Sequence, residues 1–123
     1  MRILIADDHT IVRTGLRRML ELKFPDVVIG EATSCRELLE KVKSARWDVV
    51  ILDVALGAEN GLTVLPELKQ ECPQLPVIVL SMYGERQFVT RALASGASAY
   101  LTKEQAAAFS GIVNRMRETE RQE

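Results

Sequence analysis

Five polar residues of this chain have side chains suited to binding a metal ion or transferring a phosphoryl group, and each lies at or just after the end of a short apolar segment. They are Asp7, Asp8, Asp53, Ser81 and Lys103. Carboxylate oxygens bind hard divalent cations such as Mg²⁺ or Mn²⁺, whereas hydroxyl and ammonium groups stabilise phosphoryl oxygens. If the fold brings these residues together, they form a site for phosphoryl-transfer chemistry.

The elements that must position these residues alternate along the chain. Short apolar segments that predict strands cover residues 2–6, 27–32, 48–53, 77–80 and 97–101. Amphipathic patterns predict a helix after each strand. Such alternation predicts an α/β fold, namely a three-layer, doubly wound, parallel five-stranded sheet of flavodoxin-like order 2-1-3-4-5 with five helices.

The helix ends carry their own signals. Thr10 is expected to cap the first helix, and Ser34 with Glu37 forms a capping-box pattern for the second. The third helix is predicted around residues 62–68, with Pro66 tolerated in its first turn. The fourth and fifth helices are predicted over residues 88–96 and 106–116.

In a parallel sheet of this kind the four strand ends that carry these five residues lie at one edge. Three crowded carboxylates repel one another, and a divalent cation would relieve that repulsion. Asp53 suits the role of nucleophile, because it is central and alone on its strand end. Each residue also has a simpler interpretation: the aspartates and Ser81 as helix caps, and Lys103 as a solvated side chain.

Length and composition narrow the class of protein. The 123 residues predict one domain over 1–116, followed by a charged segment, 117–123, that resembles a helix end or the start of a linker. The formal net charge of −1 gives no support for direct binding to nucleic acid or to an anionic membrane. Cys35 and Cys72 match neither a metal-binding spacing nor a disulfide framework. With no secretory signal or membrane-spanning run, a cytoplasmic location is expected.

The sequence resembles a known family, the receiver domains of two-component response regulators. The resemblance rests on Asp7, Asp8, Asp53, Ser81 and Lys103, and on Tyr100 in the predicted fifth strand. It covers essentially the whole chain. Three local strings are most similar to the NarL/FixJ class, whose members usually carry a C-terminal helix-turn-helix domain. They are residues 6–9, 79–82 and 94–103.

The resemblance implies a role for each site residue. Asp53 would accept a phosphoryl group from a phosphohistidine of a sensor histidine kinase. Mg²⁺ would be bound by Asp8, Asp53 and the Ala55 carbonyl, and through water by Asp7. Lys103 would contact the phosphoryl group. Ser81 would swing toward it and Tyr100 would move inward, remodelling the face formed by helix four, strand five and helix five.

Some positions depart from the family pattern or carry a separate hypothesis. Leu56-Gly57 replaces the common Met-Pro, which puts the loop geometry in doubt, and Glu104 is a milder departure.

His9 is interpreted as a helix-start residue and not as a phosphoacceptor or metal ligand. Tyr83, two residues past Ser81, is expected to flank the water path together with Ala55 and to slow hydrolysis of the phosphorylated state.

Two other functions remain open from the sequence. One is a receiver-like interaction domain that works without phosphorylation, although none of the key residues is lost. The other is an enzyme: an aspartyl phosphohydrolase would want an acid at Ala55, and a flavin-binding protein would want a phosphate loop where Asp7 and Asp8 stand. The output domain, predicted to control transcription, would lie outside this chain. Homodimerisation is plausible, and Arg13 and Arg17 are candidates for contact with the kinase.

Overall fold

Five parallel strands form the central sheet in the computed structural model, which describes residues 1–57, 59–81 and 86–102. The strands are Arg2–Ala6 (β1), Val28–Ala32 (β2), Val49–Asp53 (β3), Val77–Ser81 (β4) and Ala99–Thr102 (β5). The helices are Thr10–Lys23 (α1), Cys35–Ser44 (α2), Leu65–Glu71 (α3) and Arg86–Ala94 (α4). Strands and helices therefore alternate as the sequence predicts. The predicted fifth helix and the segment 117–123 lie outside the described residues.

The order of the strands across the sheet is β2-β1-β3-β4-β5, and every neighbouring pair is parallel. This confirms the predicted flavodoxin-like order. Strand β2, whose residues are more polar than those of the central strands, lies at an edge. Strands β3 and β4 are buried along their whole length, which explains their continuous apolar sequences.

Alternate residues of the strands feed two hydrophobic cores, one on each face of the sheet. One core combines Leu4, Val50 and Val79 with residues of α2 and α3. The other combines residues such as Ile5 and Ile51 with the apolar side of α1. A strand residue and its successor point to opposite faces, so a single apolar run serves both cores. No helix in the described ranges is both long enough and apolar enough to span a membrane.

The helix starts agree with the sequence in part. Ser34 caps α2 as predicted, because its Oγ accepts a hydrogen bond from the Glu37 N–H. The prediction for α1 is wrong by one residue: His9 is the N-cap and Thr10 is the first helical residue. The predicted third helix is divided into a 3₁₀ turn at Gly61–Thr63 and α3, because Asn60 caps the turn through the Leu62 N–H.

The segment after Asp53, predicted as an irregular loop, contains a small antiparallel ladder. Residues Ala55–Leu56 pair with Glu59–Asn60. Gly57 follows the first of these short strands with a φ of +64°. Glycine adopts this left-handed conformation without the steric cost that a Cβ would impose. The departure from the family pattern at this position therefore has a structural reason.

Candidate functional site

The register of the sheet brings four polar strand ends to one edge. Ala6 is paired with Leu52, so Asp7 emerges beside Asp53. Asp53 is itself paired with Leu80, the residue before Ser81. Ser81 in turn is paired with Thr102, the residue before Lys103 in the sequence. The carboxyl ends of β1, β3, β4 and β5 thus form one edge, as expected for a ligand site of an open α/β sheet.

Asp53 is buried and its carboxylate is oriented by the backbone. Only 3% of its side chain is exposed. Its Oδ1 accepts a hydrogen bond from the Ala55 N–H at 2.9 Å. Gly61 packs against the Asp53 carbonyl so closely that a Cβ would overlap the carbonyl oxygen. The hairpin and the turn after it therefore hold the backbone of Asp53 and fix the position of its carboxylate.

The two aspartates after β1 differ in exposure. Asp7 is 1% exposed, and its N–H donates to the carbonyl of Ala32 in the neighbouring strand. Its Oδ1 accepts a hydrogen bond from the His9 N–H at 2.7 Å. Among the described residues, its Oδ2 has no hydrogen-bond partner. Asp8 has a third of its side chain exposed and so faces the solvent side of the site.

The imidazole of His9 stands among all three carboxylates. Its Nδ1 lies 3.0 Å from Asp7 Oδ1, 3.1 Å from Asp8 Oδ1 and 3.8 Å from Asp53 Oδ2. The sequence correctly predicts His9 at the helix start but does not predict this contact. The sequence carries one signal for this contact, namely the position of His9 directly after Asp7 and Asp8. A side chain at the N-cap of α1 stays near the carboxyl end of β1, where these aspartates lie.

A second feature that sequence reasoning missed is an ionic bridge between α1 and β2. Arg13 donates through Nη1 to the Asp7 carbonyl at 2.7 Å and through Nε to Glu31 at 2.9 Å. Arg17 binds the other oxygen of Glu31 at 2.8 Å. Lys41 donates to the Glu31 carbonyl. Arg13, suggested by the sequence as a kinase contact, is 15% exposed and is occupied within the domain.

The remaining predicted site residues lie at the same edge or outside the described residues. Ser81 is buried at the end of β4. Tyr100 is half-buried against the core that includes Val79, with which it is in register. Ala55 is exposed beside Asp53. Lys103 and Tyr83 lie outside the described residues.

The donor atoms present fit a divalent cation. Asp7, Asp8 and His9 offer ligand atoms that all lie within 4.8 Å of one another. Asp7 Oδ2 is buried and has no hydrogen-bond partner in the part of the chain that the structure describes. Burying a carboxylate oxygen in this way costs free energy, and a bound cation would offset that cost. Carboxylate oxygens are the donors that Mg²⁺ and Mn²⁺ prefer.

Comparison with known proteins decides the family. The family described as "Response regulator receiver domain" matches residues 3–112 of the chain. The chain belongs to the response regulator receiver domains. Members of this family are signalling proteins that bind Mg²⁺ at an acidic pocket, and the Asp-Asp-His cluster lies where such a pocket is expected.

Individual relatives agree with this assignment. The receiver is 38% identical over 103 residues to "Response regulator GacA" of Pseudomonas viridiflava, covering 84% of this chain and 48% of that protein. It is 33% identical over 104 residues to "Transcriptional regulatory protein DegU" of Brevibacillus brevis, covering 85% of this chain and 44% of that protein. The chain thus spans about half the length of these curated relatives.

A solved structure supports the same conclusion. The crystal structure of a LuxR-family two-component response regulator from Aurantimonas sp. SI85-9A1 superposes with a TM-score of 0.80. The two sequences are 28% identical, and the superposition covers 92% of this chain and 84% of the other. The resemblance to receiver domains that the sequence predicts is therefore confirmed.

Proposed function

We propose that this receiver domain is a switch in which Asp53 accepts a phosphoryl group from a phosphohistidine of a sensor histidine kinase. The observation that carries the proposal is the convergence of Asp7, Asp8 and Asp53 around one position at the carboxyl edge of the sheet. Of the three, Asp53 is the one on the central strand, with an oxygen held by the Ala55 N–H.

The transfer is a displacement at phosphorus. A carboxylate oxygen of Asp53 forms the new P–O bond while the P–N bond of the phosphohistidine breaks, and the bonding electrons return to the imidazole of the kinase. The product on this chain is an acyl phosphate. Because the backbone holds one carboxylate oxygen, the side chain is oriented before the donor arrives, which lowers the entropic part of the barrier.

The proposed cofactor is Mg²⁺ or Mn²⁺, held by Asp8, Asp53 and the Ala55 carbonyl, with Asp7 acting through water. When bound, the cation neutralises charge on the phosphoryl oxygens. The protein contributes a fixed acidic turn, since the Asp7 backbone is held on one side by Ala32 and on the other by Arg13. We assign Lys103 to the same phosphoryl oxygens.

The proposed switch couples the site to the α4–β5 side of the domain. Ser81 would move toward the phosphoryl group and Tyr100 inward, shifting the population between two packings. The register supports this coupling, because Ser81 ends the strand that pairs with the Asp53 strand, and Tyr100 lies on the next strand of the sheet. Tyr83 and Ala55 are proposed to control access of water and hence the lifetime of the acyl phosphate.

The output proposed for this switch is transcription. The relative named "Transcriptional regulatory protein DegU" is 33% identical to this chain over 104 residues. We propose that the receiver acts in the cytoplasm and controls a DNA-binding domain outside residues 1–123. We propose that its partner is a sensor histidine kinase and that phosphorylation promotes homodimerisation. The domain acts as a phosphoacceptor that takes part in its own phosphotransfer and dephosphorylation.

The proposal is tested by intact-mass measurement after incubation with acetyl phosphate and Mg²⁺. We expect the mass of one phosphoryl group to be added, and no addition in Asp53→Asn or in the presence of a chelator. Asp26→Asn, an exposed aspartate between α1 and β2, is the matched control and should behave as wild type. If no adduct forms and beryllofluoride, a stable phosphoryl mimic, fails to bind, the proposal is wrong.

A further inference from the structure

We propose that His9 is a ligand of the divalent-cation site, and that its imidazole nitrogen makes the site prefer divalent transition-metal ions over Mg²⁺. The inference rests on the proposed function, because the nitrogen joins the carboxylates already assigned to cation binding. It departs from that assignment in one respect, since it places an oxygen of Asp7 in direct contact with the ion instead of through water. It goes beyond that function by assigning a nitrogen donor and an ion class to a residue that the sequence favours only as the start of a helix.

The first support is the spacing of the donor atoms. Two neighbouring ligands of an octahedral ion with bonds of about 2.1 Å are separated by about 3.0 Å, the hypotenuse of a right triangle whose two legs are the bonds. The His9 Nδ1 lies 3.0 Å from Asp7 Oδ1 and 3.1 Å from Asp8 Oδ1. These are the separations expected for adjacent ligands of one ion, and the contact with Asp7 is a hydrogen bond when no ion is bound. Asp53 Oδ2, at 3.8 Å, needs only a small shift to join them.

The second support is independent of the histidine. Asp7 is 1% exposed, yet its Oδ2 has no hydrogen-bond partner within the described ranges. Native structures rarely leave a buried carboxylate oxygen unsatisfied, and a missing ion is one of the recognised explanations. A cation next to Asp7 would supply the interaction that this oxygen lacks.

The third support is that α1 does not use the His9 side chain. His9 occupies the N-cap position, but its imidazole makes no capping hydrogen bond to α1. Its backbone N–H instead donates to Asp7 Oδ1, which closes a tight turn and carries the ring over the carboxylates. The position of the ring is therefore explained by the acidic cluster and not by the helix.

A nitrogen ligand changes which ions the site favours. Mg²⁺ prefers oxygen donors and keeps several of its waters, whereas imidazole nitrogen suits Co²⁺, Ni²⁺, Cu²⁺ and Zn²⁺. Affinity for such sites rises from Mn²⁺ through Ni²⁺. The His9 imidazole would therefore add little to Mg²⁺ binding and much to Ni²⁺ binding.

The chain contains a single histidine, so any imidazole nitrogen found on a bound metal can be assigned to one residue. Protein purified without a histidine tag and labelled with ¹⁵N-histidine is loaded with Cu²⁺ or Mn²⁺, and pulsed electron paramagnetic resonance detects any nitrogen bound to the metal. We expect a directly coordinated ¹⁵N signal. Any such signal belongs to His9, because no other imidazole is present.

Calorimetric titration of the apoprotein with Ni²⁺ and with Mg²⁺ provides the affinities. His9→Asn is the informative variant, because its amide oxygen lies near the position of the imidazole Nδ1 and asparagine is a good N-cap. We expect the affinity for Ni²⁺ to fall by about tenfold or more and the affinity for Mg²⁺ to stay nearly unchanged. Asp8→Asn should weaken the binding of both ions.

The outcomes separate this inference from the function on which it rests. If Mg²⁺ binds, but no nitrogen coupling appears and His9→Asn leaves the Ni²⁺ affinity unchanged, the inference is overturned while the cation site remains. The imidazole would then be a partner of the carboxylates that the cation displaces. If the wild-type protein binds neither Mg²⁺ nor Ni²⁺, the cation site and the inference both fail.

Discussion

The Arg13 guanidinium donates a hydrogen bond to the backbone carbonyl of Asp7 at 2.7 Å. This contact ties the first turn of α1 to the acidic turn after β1, and the same side chain also binds Glu31 of β2. The position of the Asp7 and Asp8 carboxylates thus depends on a residue that contributes no ligand atom. Arg13 is largely buried and charged, and it positions the acidic turn.

We expect Arg13→Ala to weaken Mg²⁺ binding by about tenfold, because groups that orient ligands have effects of this size. The free energy of unfolding should fall by about 1–3 kcal/mol, since charged hydrogen bonds to the Asp7 carbonyl and to Glu31 are lost. Calorimetric Mg²⁺ titration and urea unfolding measure the two effects.

Arg17→Ala is the matched control for that variant. Arg17 also binds Glu31, but its side chain is 42% exposed, and its hydrogen bonds within the described residues go to Glu21 and Glu31 and not to the Asp7 carbonyl. Its loss should cost at most about 1 kcal/mol and leave Mg²⁺ affinity unchanged. Equal effects of the two substitutions on Mg²⁺ binding would contradict a positioning role for Arg13.

Gly61 and Gly15 provide a second matched pair. A Cβ at Gly61 would overlap the Asp53 carbonyl oxygen, whereas a Cβ at Gly15 in α1 would meet nothing within 4 Å. Gly61→Ala should lower stability by about 1–3 kcal/mol. It should also slow phosphorylation by about tenfold or more, because the carboxylate moves with its backbone.

Gly15→Ala should have the opposite effect on stability. Alanine in the middle of a helix is favoured over glycine by about 0.5–1 kcal/mol, and no neighbour is displaced. Its phosphorylation rate with acetyl phosphate should match that of wild type. A normal phosphorylation rate in Gly61→Ala would mean that the Asp53 backbone is not held by this contact.

The hairpin after Asp53 leads to a prediction for Gly57, which stands where the family pattern commonly has proline. Gly57 has a φ of +64°, which proline, fixed near −65°, cannot adopt. Gly57→Pro should therefore lower the free energy of unfolding by at least about 1–2 kcal/mol, the cost of a left-handed conformation to an ordinary residue. Thermal unfolding monitored by circular dichroism measures the change.

Gly57→Asn should be tolerated better than Gly57→Pro, because asparagine visits the left-handed region more readily than other residues with a side chain. A proline variant that is as stable as wild type would show that the hairpin does not require the left-handed glycine.

Cys35 offers a prediction about pH dependence. Burial, and then the charge and hydrogen bond of Glu59, raise the pKa of the Cys35 thiol. At a given pH less thiolate is present, so alkylation by iodoacetamide should rise only at higher pH than for an ordinary thiol. Glu59→Gln removes the charge, and should therefore lower the midpoint of this pH profile.

Cys72→Ser provides the background in which Cys35 is the single thiol of the chain. In that background burial slows alkylation at every pH and also raises the midpoint, and the Glu59 carboxylate raises the midpoint further. An unchanged midpoint in Glu59→Gln would show that Glu59 has no influence on the thiol.

The sequence predicts the sheet and the positions of the strand ends, because each buried parallel strand is a continuous apolar run that stops at a polar residue. The convergence of Asp7 and Asp53 follows from strand order alone. The short ladder after Asp53 was not predictable in this way, since two-residue strands show no periodicity. The contacts of His9 and Arg13 depend on side-chain conformations and on the pairing with the edge strand β2.

Chemical trapping of the aspartyl phosphate tests most directly whether Asp53 is the phosphoacceptor. Borohydride reduces an aspartyl phosphate to the corresponding alcohol, so after phosphorylation with acetyl phosphate and Mg²⁺ it leaves a homoserine residue that peptide fragmentation locates. We predict homoserine at position 53 and at no other aspartate, with none formed when the cation is chelated. Homoserine at position 7 or 8, or a phosphoryl group recovered on His9, would contradict the account.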